Sequence, residues 1–167
     1  MATFDMPLKN PVDRHARCGW QPDVQMANFL NRREFTIEWS HCDPAGIVFN
    51  SRFFEYFDWG TWNLFEAALG VRPPELAAAF GIDSLPLVDA NARFIAPARF
   101  GDRVELTSQI TAFRRSSFDV AHQLLVSGTV AVEGQETRVW AGRDPADPSK
   151  LKSQPIPREV IERFHPR

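Results

Sequence analysis

His41-Cys42-Asp43-Pro44-Ala45-Gly46-Ile47-Val48-Phe49-Asn50, with the apolar run Ser51 to Leu69 behind it, is the stretch that decides the fold. An acid followed by Pro, then Gly, then a polar pair at a helix start suits a carboxylate held rigidly beside free backbone N–H groups. Pro44 fixes its own φ and biases Asp43 toward an extended backbone, while Gly46 permits angles that a side chain would block. A tight loop is expected. Asn50 and Ser51 both favour the N-cap position, and the first helical N–H groups, at the positive end of the macrodipole, suit an anion or a polarised carbonyl. Taken alone, an Asp-Pro pair marks a turn more often than a site.

The helix predicted over Ser51 to Leu69 is mostly inside the molecule. Phe53, Phe54, Phe57, Thr61, Leu64, Phe65 and Ala68 share one broad face, and Trp59 and Trp62 extend it around the cylinder. Gly70 caps it and Pro73-Pro74 prevents continuation; a short turn of helix over Pro74 to Phe80 follows. Asp58 falls between Phe65 and Leu69 on the wheel. A carboxylate at the edge of an apolar face is costly without a partner, so Asp58 is a candidate contact for a polar group of a substrate, or for the sheet or another subunit.

Working outward, Phe35, Ile37 and Trp39 alternate with polar residues as a half-buried strand delivering the chain to Asp43. Downstream, four strands are expected over Leu85 to Ile95, Arg103 to Arg114, Ser117 to Val126 and Val130 to Arg143. Turns at Gly101-Asp102, Arg115-Ser116 and Ser127-Gly128 suggest an antiparallel meander. Pro157 to Phe164 reads as a short amphipathic helix. One buried helix covering the apolar face of a five-strand antiparallel sheet is an α+β arrangement. Residues 1–31, with Pro7, Pro11 and Pro22 and no periodicity, read as an irregular N-terminal extension, and 32–167 as one domain.

A chain of 167 residues, 44% hydrophobic and with a net charge of -2, can bury a sizeable core and carries no basic field for nucleic acid. No apolar run is long enough to span a membrane, and the start of the sequence lacks a signal-peptide pattern, so a cytoplasmic protein is expected. Cys18 and Cys42 are too few for a disulfide framework, and no metal or redox cofactor is implied.

Asp43-Pro44-Ala45-Gly46-Ile47-Val48 leading into an aromatic-rich helix, then Phe113-Arg114-Arg115-Ser116-Ser117-Phe118, resembles the 4-hydroxybenzoyl-CoA thioesterase family of acyl-CoA thioesterases. The likeness runs from about Arg33 to about Phe164. It implies a hotdog fold, with the sheet wrapped around the helix, and two such units joined as a dimer or tetramer with sites at the subunit interface. It also implies an acyl-CoA substrate, coenzyme A being part of that substrate rather than a cofactor. Asp43 matches the family's catalytic carboxylate, and Asn50 the position whose backbone N–H binds the thioester carbonyl. Whether the carboxylate attacks the carbonyl or activates water stays open. Arg114, Arg115, Ser116 and Ser117 match a segment that contacts the phosphates of coenzyme A, and Arg138 matches a further arginine. The family often has Lys where this chain has Ser116, and many members have Tyr-His-Ala-Asn-Tyr in place of Phe49-Asn50-Ser51-Arg52-Phe53. Only the backbone role at Asn50 therefore carries over.

The residues favour an aromatic acyl group only through the Phe and Trp of the helix, which any core would also hold. A fatty acyl-CoA or carrier-protein thioesterase and a non-catalytic acyl-thioester-binding module are the competing readings. His122 shares a strand face with Phe118, Val120 and Leu124 and reads as a satisfied core histidine, not a general base.

Overall fold

The structure, a computed structural model, describes residues 29–165. The chain runs β1 (Leu30–Thr36), a 3-10 turn (Trp39–His41), α1 (Asn50–Leu69), a second 3-10 turn (Pro73–Glu75), α2 (Leu76–Phe80) and β2 (Leu87–Phe94). It continues through β3 (Arg103–Phe113), β4 (Ser117–Val126), β5 (Thr129–Val139), β6 (Ala141–Asp144), β7 (Asp147–Ser153) and α3 (Arg158–Arg163). Five strands form one antiparallel sheet in the order β1-β3-β4-β5-β2. The sheet covers α1 in the wrapped hotdog arrangement that the resemblance implies.

Alternation along β3, β4 and β5 sends Leu106, Ser108 and Ile110, then Phe118, Val120, His122 and Leu124, then Val132, Gly134, Glu136 and Arg138, toward the helix. The core falls into two clusters along α1. Phe53, Tyr56 and Phe57, near its start, pack on Val104, Leu106, Leu124 and Val132. Leu64, Phe65 and Leu69, near its end, pack on Ile110, Phe118, Val120, Trp140 and the Val160 and Phe164 of the α3 region. Each of the fully buried Phe57, Phe65 and Phe118 stabilises the fold by roughly 1.5–3 kcal/mol. Between the clusters lies a polar layer of Thr61, Ser108, His122, Glu136 and Arg138, all buried. The wrap is tight there, because a Cβ at Gly134 would fall 2.4 Å from the Phe57 ring and one at Gly60 would fall 2.6 Å from Ser108 Oγ.

Several expectations need correction. The meander holds only for β3-β4-β5; β2 pairs with β5 at the far edge, so residues 95–102 cross the end of the sheet to reach β3. The strand expected over Val130 to Arg143 breaks at Trp140, whose backbone bonds Ser116 and Gln154 while its side chain buries. Beyond it, β6 pairs instead with β7, a strand with no apolar alternation to announce it. Trp39 lies in the 3-10 turn, exposed and edge-on to Phe100, and not in β1. Trp59 is also outside the core, under the Arg33 guanidinium at 3.8 Å. Of the extension expected over 1–31, residues 1–28 lie outside the described residues, and β1 already begins at Leu30.

Candidate active site

The acid loop closes on itself. Cys42 and Val48 form an antiparallel bridge, and the Asp43 N–H donates to the Ile47 carbonyl at 2.9 Å. The Gly46 N–H returns to the Asp43 carbonyl at 2.9 Å, with Gly46 at φ +72°, the left-handed turn that its missing side chain allows. Asp43 Oδ1 accepts the N–H groups of Ala45 at 2.8 Å and Ile47 at 3.4 Å. The carboxylate therefore does the work of a turn residue, yet Oδ2 has no hydrogen-bond partner among the described residues. The crossing segment braces the loop from outside, through Val48 N–H to the Ala98 carbonyl at 2.9 Å and Phe100 N–H to the Gly46 carbonyl at 3.0 Å.

The loop ends where α1 begins. Phe49, not Asn50 or Ser51, is the N-cap residue, and no side chain caps the helix. Asn50 is the first helical residue, so its N–H belongs to the turn whose donors have no intrahelical partner. Beside it opens an apolar cleft of about 270 Å³, with Val48, Asn50 and Phe53 on one wall and Phe94, Ile95 and Pro97 on the other. Asn50 thus lines a space that fits an apolar group, and the loop that carries Asp43 leads directly into it through Ile47 and Val48. A turn further along the helix, the Tyr56 hydroxyl lies 2.9 Å from His41 Nδ1; burial, with Cys42 next, pushes this phenol up to about 12.

Asp58 and Arg138 also meet, but with each other. Arg138 Nη2 donates to Asp58 Oδ1 at 2.6 Å, while the Asp58 side chain keeps 51% of its surface exposed. The rest of the guanidinium is engaged inside: Nε and Nη2 donate to Glu136 at 2.8 and 3.0 Å, and Nη1 donates to the Leu85 carbonyl at 3.1 Å. At 2% exposure, Arg138 sits in the core and does not face an incoming phosphate. Glu136 takes the Thr61 hydroxyl at 2.8 Å and lies 3.4 Å from His122 Nε2; His122 Nδ1 meets Ser108 Oγ at 2.9 Å. Burial alone would raise the Glu136 pKa, but hydrogen bonds from His122 and Arg138 and the arginine charge outweigh it and hold it at about 2. His122 is the satisfied core histidine expected.

The network itself escapes an unaided reading of the sequence, although one signal was present. Glu136 and Arg138 share the parity of Val132 and Gly134, which places them on the inward face of β5. His41 and Tyr56, 15 positions apart, leave no such signal.

Arg114, Arg115 and Ser116 form the turn between β3 and β4, and Ser117 opens β4. Arg114 makes a two-pronged ion pair with Asp119 at 2.7 and 2.6 Å, and Thr137 adds a bond to Asp119 at 2.8 Å. The Arg114–Asp119 hydrogen bond raises the arginine and lowers the carboxyl from their ordinary values. Arg115 is exposed, and the Ser116 carbonyl accepts the Trp140 N–H at 2.9 Å. This turn packs with the cluster at the end of α1, whereas Asp43 lies at its start. Most of α1 lies between them, a helix of 20 residues and on the order of 30 Å long. Among the described residues no group of three or more His, Cys, Asp or Glu could hold a metal ion.

The chain matches the family model of the thioesterase-like superfamily over residues 37–164. The 4-hydroxybenzoyl-CoA thioesterase of Pseudomonas sp. (strain CBS-3) is 31% identical over 134 residues, which is 75% of this chain and 91% of that protein. Its solved structure superposes with a TM-score of 0.73 at 27% identity, covering 80% of this chain and 98% of that one. A gentisyl-coenzyme A thioesterase superposes with a TM-score of 0.67 at 32% identity, covering 78% and 98%. From a family match across most of its length and the wrapped sheet, it follows that this chain belongs to the thioesterase-like superfamily and is a hotdog-fold thioester hydrolase.

Proposed function

We propose that the chain hydrolyses an aromatic acyl-CoA, of the 4-hydroxybenzoyl-CoA kind, to the free acid and coenzyme A, acting in the cytoplasm with no separate cofactor. The observation that carries this reading is the acid loop that runs from Asp43 into the uncapped start of α1, where Asn50 lines an apolar cleft. The thioester carbonyl lies on the Asn50 N–H, whose dipole stabilises the negative charge developing on oxygen. Asp43, through Oδ2, either attacks the carbonyl carbon and expels the coenzyme A thiolate, leaving a mixed anhydride that water hydrolyses to the acid, or takes the proton of a water that attacks in its place and expels the same thiolate. The acyl group enters the cleft lined by Phe53 and Phe94; Asp58, eight residues beyond Asn50 on α1 and outside that lining, keeps half of its side chain exposed to accept a hydrogen bond from a substrate hydroxyl. Relatives that act on 4-hydroxybenzoyl-CoA and gentisyl-CoA support an aromatic substrate over a fatty acyl one.

The phosphate-binding role proposed for Arg114, Arg115, Ser116 and Ser117 requires a second copy of the chain. In one copy these residues stand at the far end of α1 from Asp43, so the turn serves the site of a partner. Arg138 drops out of that role because its guanidinium is engaged in the core.

Release of free thiol from a panel of aroyl-CoA and straight-chain acyl-CoA substrates tests the proposal, run on the wild type and on Asp43→Asn. Turnover of aroyl substrates is expected, with kcat lowered about 10²–10⁴-fold by the substitution and KM little changed. Equal activity in the variant would remove Asp43 from the chemistry. A wild type that binds acyl-CoA and returns it intact would move the binding-module reading to the front.

A further inference from the structure

Two bonds tie His41, at the base of the acid loop, to the first part of α1 and its N-cap. The first is from the main chain: the His41 carbonyl accepts the N–H of Phe49, the N-cap residue, at 2.9 Å. The second is between side chains, His41 Nδ1 and Tyr56 Oη at 2.9 Å. Tyr56 is itself immobilised. It is buried, its ring lies 4.9 Å from Phe35 and 6.0 Å from Phe53, and the two rings of the pair meet edge-on at 5.6 Å. Its hydroxyl has no other hydrogen-bond partner among the described residues, so the bond to His41 satisfies a buried donor.

The crossing segment braces 42–48 from outside through Ala98 and Phe100, and rotation of that braced loop against α1 is left to the single bond between residues 41 and 49. A second tie, more than one helical turn along the same helix, removes that rotation. We infer that His41 and Tyr56 are positioning residues, a clamp that fixes the acid loop on α1 and so sets Asp43 against the Asn50 N–H. For its catalytic consequence the clamp rests on the thioester-hydrolysis reading; its mechanical consequence stands apart from it. Tyr56→Phe removes the hydroxyl and keeps the packed ring. His41→Asn keeps an acceptor near the place of Nδ1, whereas His41→Leu keeps none.

The test measures backbone amide hydrogen exchange across 42–49 together with kcat and KM for the thioester that the wild type turns over best. In Tyr56→Phe and His41→Leu, exchange in that segment rises about 10-fold while the strands stay protected, the loss expected of one hydrogen bond. In the same variants kcat falls about 10-fold with KM within about twofold, because displacing a reacting group lowers rate more than affinity. His41→Asn recovers both readouts to within about threefold of wild type. Exchange in 42–49 that does not change in either variant overturns the clamp, as does exchange that rises equally in every element, or a rise in KM with kcat untouched. If Tyr56→Phe fails to fold, the comparison of His41→Asn with His41→Leu decides. If the wild type hydrolyses no thioester, the reading of the preceding section fails, and the exchange data alone uphold or overturn the clamp.

Discussion

Glu136 is a buried residue whose charge state bears directly on the fold. It is 2% exposed, with Arg138, His122 and Thr61 all directed at its carboxylate. Its pKa moves from the ordinary 4.5 down to about 2 on folding. A lowered carboxyl contributes stability that is present above the unfolded value and lost as pH falls, here from about 4.5 through about 2. The contribution is about 3 kcal/mol at neutral pH. Glu136→Gln leaves the Arg138 charge short of a partner in the core, and urea unfolding at pH 7 is expected to show a loss of about 3–5 kcal/mol. The same variant loses the Glu136 share of acid destabilisation, so its stability declines less than that of the wild type between pH 4.5 and 2. Parallel slopes for the two proteins would show that the carboxylate is not held as described.

At the scale of elements, α1 and the loop before it were legible because their signals are local. Pro44, Gly46 and the aromatic face from Phe53 to Phe65 each act within a few residues, and the helix falls within one residue of its expected start. The cap was not legible, since Asn50 and Ser51 outrank Phe49 in intrinsic preference and only the bridge between Cys42 and Val48 places Phe49 there. That cap geometry permits a clean test of the proposed N–H donor. Asn50→Pro deletes the backbone N–H at the first helical position, where Pro is well tolerated, and Phe49 at φ -65°, ψ 134° already has the extended backbone that precedes a proline. Stability is expected to stay within about 1 kcal/mol of wild type, while kcat for the thioester falls about 10²–10³-fold. Full activity in Asn50→Pro would move the carbonyl away from this donor. The strands were legible wherever one face is apolar. β7, exposed along its length, and the crossing of β2 to β5 depend on tertiary pairing that no local pattern records.

In the whole molecule, the separation of Asp43 from Arg114 and Arg115 predicts a site shared between subunits. An Asp43→Asn protein and an Arg114→Ala/Arg115→Ala protein, each weak alone, are expected to regain up to about a quarter of wild-type activity when refolded together as dimers. That fraction follows because random pairing makes about half of the dimers mixed, and each mixed dimer holds one intact site of two. No recovery, with mixed dimers present by native mass spectrometry, would place both sets of residues on one chain's own site.

The polar layer of Thr61, Ser108, His122, Glu136 and Arg138 divides the core into two apolar compartments. Phe53 and Phe65 fall in different apolar clusters, joined through the polar layer on which Phe57 stacks at His122. The two ends of the helix thus carry separate duties: the compartment beside the cleft is the one a different acyl group would ask to be rebuilt, and the one at the far end keeps the sheet closed.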